Sequence, residues 1–166
     1  MNRKLIFALC AIVGFIVSGV SITQGASADQ EAAAKAEKAS KVKFRWGKSL
    51  KSAQKQSEET GLPIALLFTG TSWCGYCVKL EKEILSKKEF KQGMDGVAIG
   101  VKFEFSGPDF SKSKEAKEYG IRGVPAIIVV DATGKKLGRT GYIPGWTPAK
   151  YIEFFKKYAP AKADAK

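Results

Sequence analysis

Two thiols standing two residues apart carry most of the chemistry legible in this 166-residue chain: Cys74 and Cys77, within Trp73-Cys74-Gly75-Tyr76-Cys77. A helix starting near Cys74 would offer its sulfur the unpaired N–H groups and positive end of the first turn, which stabilise a thiolate. Thiols so placed have pKa values lowered to about 3.5–7.5. Cys77 comes one turn later, in line with Leu80 and Ile84 at i, i+3 and i+7, and is expected to be shielded from solvent. An exposed sulfur that attacks and a hidden one that resolves the mixed disulfide make a complete exchange cycle. The spacing therefore predicts Cys74 as nucleophile, Cys77 as resolving thiol, and a redox-active disulfide between them.

Other uses of the pair stay open at this point. A tetrahedral zinc centre needs four soft or nitrogen ligands. With no histidine and no second cysteine pair, zinc would have to be shared between two molecules. Copper(I) on the two thiolates is an alternative, although no methionine or histidine lies close by. An inert bridge is another, but one spanning so short a loop removes little unfolded-state entropy. No metal site and no separate cofactor is expected, because a dithiol carries two electrons itself.

Positioning the pair takes a strand before it and a helix after it. Pro63 to Phe68, "PIALLF", is a short apolar run of the kind buried on both faces of a sheet. "TGTS" turns the chain into a helix starting around Cys74. Ser86-Lys87-Lys88-Glu89 reads as a capping box, with Leu85 and Phe90 placed as a hydrophobic staple, so a second short or kinked helix follows. In "VAIGVKFEF" the residues Val97, Ile99, Val101, Phe103 and Phe105 alternate onto one face of a strand. "SKSKEAKEYG" predicts a short helix ending at Gly120. "AIIVV" (126–130) is a buried strand, "DATG" a turn, and "KKLGRTGY" (135–142) its hairpin partner. Thr147 and Pro148 open a last helix, on which Tyr151, Phe154, Phe155 and Tyr158 form the strongest amphipathic stripe in the chain. Upstream, Leu50 and Ala53 extend a weak helical stripe from Trp46, with Gly61 as its stop.

The ends of the chain read differently. Arg3 and Lys4 precede an apolar run from Leu5 to Val20, and Ala26-Ser27-Ala28 is a small-x-small cleavage pattern, so residues 1–28 read as a signal peptide. Uncleaved, it would be an anchor and the only membrane contact; either way the domain lies outside the cytoplasm, where disulfides persist. Cys10 leaves with that segment. Residues 29–43 are an alanine- and lysine-rich spacer, the folded domain covers 44–160, and 161–166 are a disordered tail. The formal charge is +12, but the lysines are scattered rather than interleaved with aromatics, so no nucleic acid partner is built on it. Lys79 and Lys82 either raise the field near the thiols or are simply solvated. Trp146, in "IPGWTP", reads as a loop anchor.

"WCGYC" after a buried strand and before a helix, with "GVPAIIVVDATGKKLGRTGY" downstream, resembles the thioredoxin superfamily over about residues 44–160. The chain is also similar to exported bacterial thioredoxin-like domains whose active strand reads like "LLFTGTSWCGYC". The resemblance implies an α/β thioredoxin fold, a mixed central sheet of about four to five strands with helices on both faces. It also implies a cis bond between Val124 and Pro125, whose backbone lies opposite the nucleophile and pairs with an extended client segment. Trp73, Gly75, Tyr76, Val124 and Pro125 become substrate-binding residues, with Trp73 equally readable as half-buried packing. Client proteins carrying thiols or disulfides, and a redox partner protein that supplies or accepts electrons, are the implied partners. Periplasmic or other extracytoplasmic reduction or isomerisation of disulfides is the implied activity; a non-enzymatic adaptor or copper(I) carrier on the same fold is the rival.

Two departures stand out. Thioredoxins proper carry a buried acid in the strand before the active site, and here Leu67 stands at about that place. Glu81 is a substitute candidate or a solvated helix residue. The Gly-Tyr dipeptide resembles that of bacterial periplasmic disulfide isomerases, yet residues 29–43 are too short and polar to supply the separate dimerisation domain of those proteins.

Overall fold

The computed structural model describes residues 25–160, with side chains from residue 30. The signal-peptide reading therefore falls, up to residue 24, outside the described residues, as does the tail 161–166. Among the described residues no helix is long and apolar enough to cross a membrane.

The elements run α1 (Gly25–Ser40), β1 (Trp46–Gly47), α2 (Leu50–Thr60), β2 (Ile64–Thr69), α3 (Gly75–Leu80), α4 (Lys88–Gly93), β3 (Ile99–Glu104), α5 (Lys114–Glu118), β4 (Ala126–Val130), β5 (Lys136–Gly141) and α6 (Pro148–Lys156). The five strands form one mixed sheet in the order β1-β3-β2-β4-β5. β3 runs parallel to both β1 and β2, whereas β4 is antiparallel to β2 and β5. This is the sheet the resemblance implied, with helices on both of its faces.

β2 is central and every one of its residues is buried. The period-2 alternation of a strand divides it between two cores. Ala65 and Leu67 face Leu80, Ile84, Phe90, Tyr151 and Phe155, on the side of α3, α4 and α6. Ile64, Leu66 and Phe68 face the opposite core, which gathers Ala53, Val101, Ala116 and Ile128. Burying a leucine or phenylalanine side chain is worth about 1.5–3 kcal/mol, so β2 is the rung on which both layers rest. Residues 29–43 belong to α1 and the segment after it; Ala39 is buried and Val42 packs against the second core.

Local signals hold at the last helix. Thr147 caps α6 by accepting a hydrogen bond from the Lys150 N–H, and Pro148 takes the first turn. Tyr151 and Phe155 are fully buried, and Ile152 joins them although the stripe did not include it. Gly61 ends α2 in the left-handed conformation at φ 71°, where a glycine avoids the Cβ clash of other residues.

Three expectations need correction, and one turn was not anticipated. Trp46 lies in β1 rather than on a helical stripe, because pairing with Gly100 of β3 supplies backbone partners that a two-residue lead-in to α2 would lack. The capping box does not form: Lys87 is the N-cap of α4 without a side-chain bond, and the Ser86 hydroxyl donates instead to the Lys82 carbonyl. The cause lies one turn back, where Glu81–Leu85 winds as a π-helical turn, with Ser86 N–H bonded to the Glu81 carbonyl five residues earlier. Val97 lies ahead of β3 and packs in the core opposite to Ile99 and Val101. Finally, Pro108–Lys112 forms a 3-10 turn before α5 that periodicity did not suggest.

Candidate active site

The cysteine pair stands where β2 leaves the sheet. Gly70 lets the chain fold back, since a Cβ there would collide with the Trp73 indole. Its carbonyl accepts from the N–H groups of Trp73 (3.2 Å) and Cys74 (2.9 Å), closing a tight turn. Cys74 is then the N-cap of α3 in an extended conformation, and its sulfur accepts the Cys77 N–H at 3.2 Å. The two cysteines are joined as a disulfide with Cα atoms 5.2 Å apart. Cys77 is 1% exposed, whereas Cys74 is only partly covered. An accessible sulfur above an enclosed one is the asymmetry that exchange chemistry requires.

The Val124–Pro125 bond is cis. The Val124 carbonyl oxygen lies 3.6 Å from the Cys74 sulfur, which puts this loop directly against the pair across 50 residues of sequence. Gly141 of β5 backs it: a Cβ at that position would stand 2.8 Å from the Pro125 carbonyl oxygen, too close for an atom held in backbone.

Aromatic side chains flank the sulfurs on two sides. Trp73 is 37% exposed, donates its indole N–H to the Phe105 carbonyl at 2.9 Å, and stacks on Phe110 with ring centroids 6.3 Å apart. It is thus both anchored and open to contact. Tyr76 is 61% exposed. Its ring lies 5.7 Å from that of Tyr142, and the Lys79 ammonium is 5.7 Å from the Tyr76 centroid, within the range of a cation–π contact. The Tyr142 hydroxyl donates to Glu83 at 2.8 Å, and this bond, with some burial, holds its phenol above the usual value. The space over Gly75 is open: a Cβ at that position would meet nothing within 4 Å.

Beneath the pair the surroundings are apolar. Leu67 is fully buried in the same core as Leu80 and Ile84, so that place offers no carboxylate. Glu81 instead forms an ion pair with Lys102 at 3.0 Å, and Lys102 stands opposite Leu67 in the β2–β3 register. Among the described residues no group of three or more His, Cys, Asp or Glu could hold a metal ion. Trp146 packs edge-on against Tyr151 in the α6 core, as a loop anchor should.

Sequence reasoning missed Phe110 and Tyr142. Both are aromatics in segments rich in glycine, proline and serine or at a hairpin end; a bulky ring amid turn residues was the available signal. It also missed Glu104, whose carboxylate receives both the N–H and the hydroxyl of Thr71.

The sequence pattern of the family described as Thioredoxin-like domain matches residues 50–156. The disulfide bond reductase DsbH of Chlamydia pneumoniae is 33% identical over 114 residues, which cover 61% of this chain and 65% of that protein. The thioredoxin-related protein DsbJ of the same organism is 26% identical over 103 residues, 58% of this chain and 30% of that protein. The chain thus spans just under two thirds of one of these relatives and under a third of the other. Among solved structures, a DsbH oxidoreductase superposes with a TM-score of 0.56 at 28% identity, covering 72% of this chain and 86% of its own.

Proposed function

This chain belongs to the thioredoxin-like domain family, and on that footing we propose that it is an exported thiol–disulfide oxidoreductase that reduces or isomerises disulfides in client proteins. The observation that carries the reading is the asymmetric pair: Cys74 accessible at a helix cap, Cys77 enclosed behind it, the two able to bond. The likeness to a protein named disulfide bond reductase supports the reductive direction. Export is supported by the N-terminal pattern of Arg3, Lys4, the apolar run and Ala26-Ser27-Ala28.

In the reduced protein the Cys74 thiolate attacks one sulfur of a client disulfide. That S–S bond breaks, a mixed disulfide forms, and the first client sulfur leaves as a thiolate that takes up a proton. Cys77 then loses its proton and attacks the Cys74 sulfur, releasing the second client thiolate and closing the Cys74–Cys77 bond. Two electrons have moved to the client. A dithiol partner protein returns them by the same exchange in reverse. If the client thiolate re-attacks before Cys77 does, the client is isomerised with no net electron transfer.

The Cys77 N–H that caps Cys74 is also the donor best placed to hold the developing thiolate. Val124, Pro125, Trp73, Gly75 and Tyr76 bound the approach to that sulfur, and an extended client segment would lie along the Val124–Pro125 backbone. The test is dithiothreitol-dependent reduction of insulin by the chain and by Cys74→Ser. Precipitation of the insulin B chain should accelerate with the first and stay at the background rate with the second; equal rates would reject the enzymatic reading.

A further inference from the structure

The segment carrying both cysteines is fastened to the outer end of β3 on each side of the pair. Ahead of Cys74, Oε1 of Glu104 accepts the Thr71 N–H and the Thr71 hydroxyl, each at 2.7 Å. At Trp73 the indole N–H reaches the Phe105 carbonyl. Beyond Cys77, Lys102 Nζ bonds Glu81 at 3.0 Å and lies 3.7 Å from Oε2 of Glu104. Glu104 occupies the last rung of the β2–β3 register, opposite Thr69, so its side chain reaches straight to the turn that follows β2.

The turn between Gly70 and Cys74 is held internally only through the Gly70 carbonyl. Thr71 finds its partner in Glu104. Partial burial pushes the Glu104 carboxyl up, but the two Thr71 bonds and the Lys102 charge outweigh it and hold the group below its usual value, so it is ionised at neutral pH.

We propose that Glu104 is a positioning residue for the redox pair: by holding Thr71 it keeps the Cys74 sulfur against the Cys77 N–H. The inference rests on the thiol–disulfide reading above. Its consequence has a sign that separates it from a plain charge effect. A carboxylate's field disfavours a nearby thiolate, so deleting the charge alone would make Cys74 more acidic. Losing the hold would instead weaken the Cys77 N–H bond to the thiolate and make Cys74 less acidic. Because a single oxygen accepts both Thr71 donors, an amide oxygen in its place can preserve the hold without the charge.

The experiment is iodoacetamide alkylation of Cys74 across pH, read by mass spectrometry on the full chain freshly reduced with dithiothreitol, for the wild type, Glu104→Ala and Glu104→Gln. Equilibration with glutathione gives the reduced fraction of each. Glu104→Ala should raise the midpoint of the profile, slow alkylation at pH 7 by about threefold or more, and lower the reduced fraction. Glu104→Gln should stay at or below the wild-type midpoint. Both variants moving together, or neither moving, would overturn the proposal. Should Glu104→Ala fail to give a cooperative melt, Thr71→Val replaces it: that variant keeps the carboxylate and loses one bond, and a midpoint unchanged from the wild type counts against the hold. A wild-type Cys74 with the profile of free cysteine would reject the thiol–disulfide reading itself, a separate outcome from the variant comparison.

Discussion

The backbone N–H of Cys77 points at the sulfur of Cys74 from 3.2 Å, so the first cysteine caps the helix on which the second one rides. The two residues are therefore not interchangeable. Cys74→Ser should bring insulin reduction down to the uncatalysed rate. Cys77→Ser should leave the first attack intact and block resolution, so that client remains attached to Cys74. Non-reducing electrophoresis of each variant with a disulfide-bonded client checks this: an adduct is expected with Cys77→Ser and none with Cys74→Ser.

Gly141 supports the loop opposite the pair without touching it through a side chain. Gly141→Ala forces a methyl group to 2.8 Å from the Pro125 carbonyl oxygen, and neither backbone can yield freely. Overpacking of this kind costs about 1–3 kcal/mol. A lower denaturant midpoint with unchanged slope, together with slower insulin reduction, is the expected result. The conformation of Gly141 itself is not the reason, since the collision is steric.

Tyr76 offers the reverse case. It is the most open of the large apolar side chains beside the sulfurs, so its removal should leave thermal stability nearly unchanged. If clients lie against it, Tyr76→Ala should lower kcat/KM by about threefold, through KM rather than kcat. Kinetics with a peptide disulfide substrate, paired with a melting curve, separate this from a folding defect.

Asp95 ties the loop before β3 to the chain's approach to β1. Its carboxylate accepts the Phe44 N–H at 2.7 Å and pairs with Lys43 at 3.0 Å. The Phe44 bond is the main reason its carboxyl lies below the ordinary 3.8, with Lys43 adding to it and slight burial opposing. A depressed folded-state pKa means the stabilisation is present above the unfolded value and is lost as pH falls through the folded one. Asp95→Asn should therefore cost about 1 kcal/mol at neutral pH. That deficit should shrink as pH drops from about 5 toward 2. Urea unfolding of both proteins at several pH values tests the sign.

Much of the molecule could be read from neighbouring residues. Thr147-Pro148 announces a helix because capping needs only side chains within one turn. "AIIVV" and "PIALLF" announce buried strands because a sheet covered on both faces wants apolar residues at every position. The reach failed where the deciding partner is remote. Ser86 loses its capping role to a π-helical turn set up at Glu81, and Trp46 becomes a strand only because Gly100 offers it an edge. Ala39 is buried although its surroundings look fit only for solvent.

By itself the sequence determined the chemistry: two sulfurs one helical turn apart, no histidine to compete for a metal, and a first turn able to cap one of them. These are local facts, governed by contacts within a few residues. Only the tertiary structure decided what surrounds the sulfurs. It set the Phe110 and Tyr142 rings and the Glu104 carboxylate around one turn, from at or beyond the ends of two separate strands. Sheet pairing and layer packing act between residues far apart in the chain, and no local pattern encodes which distant groups they bring together.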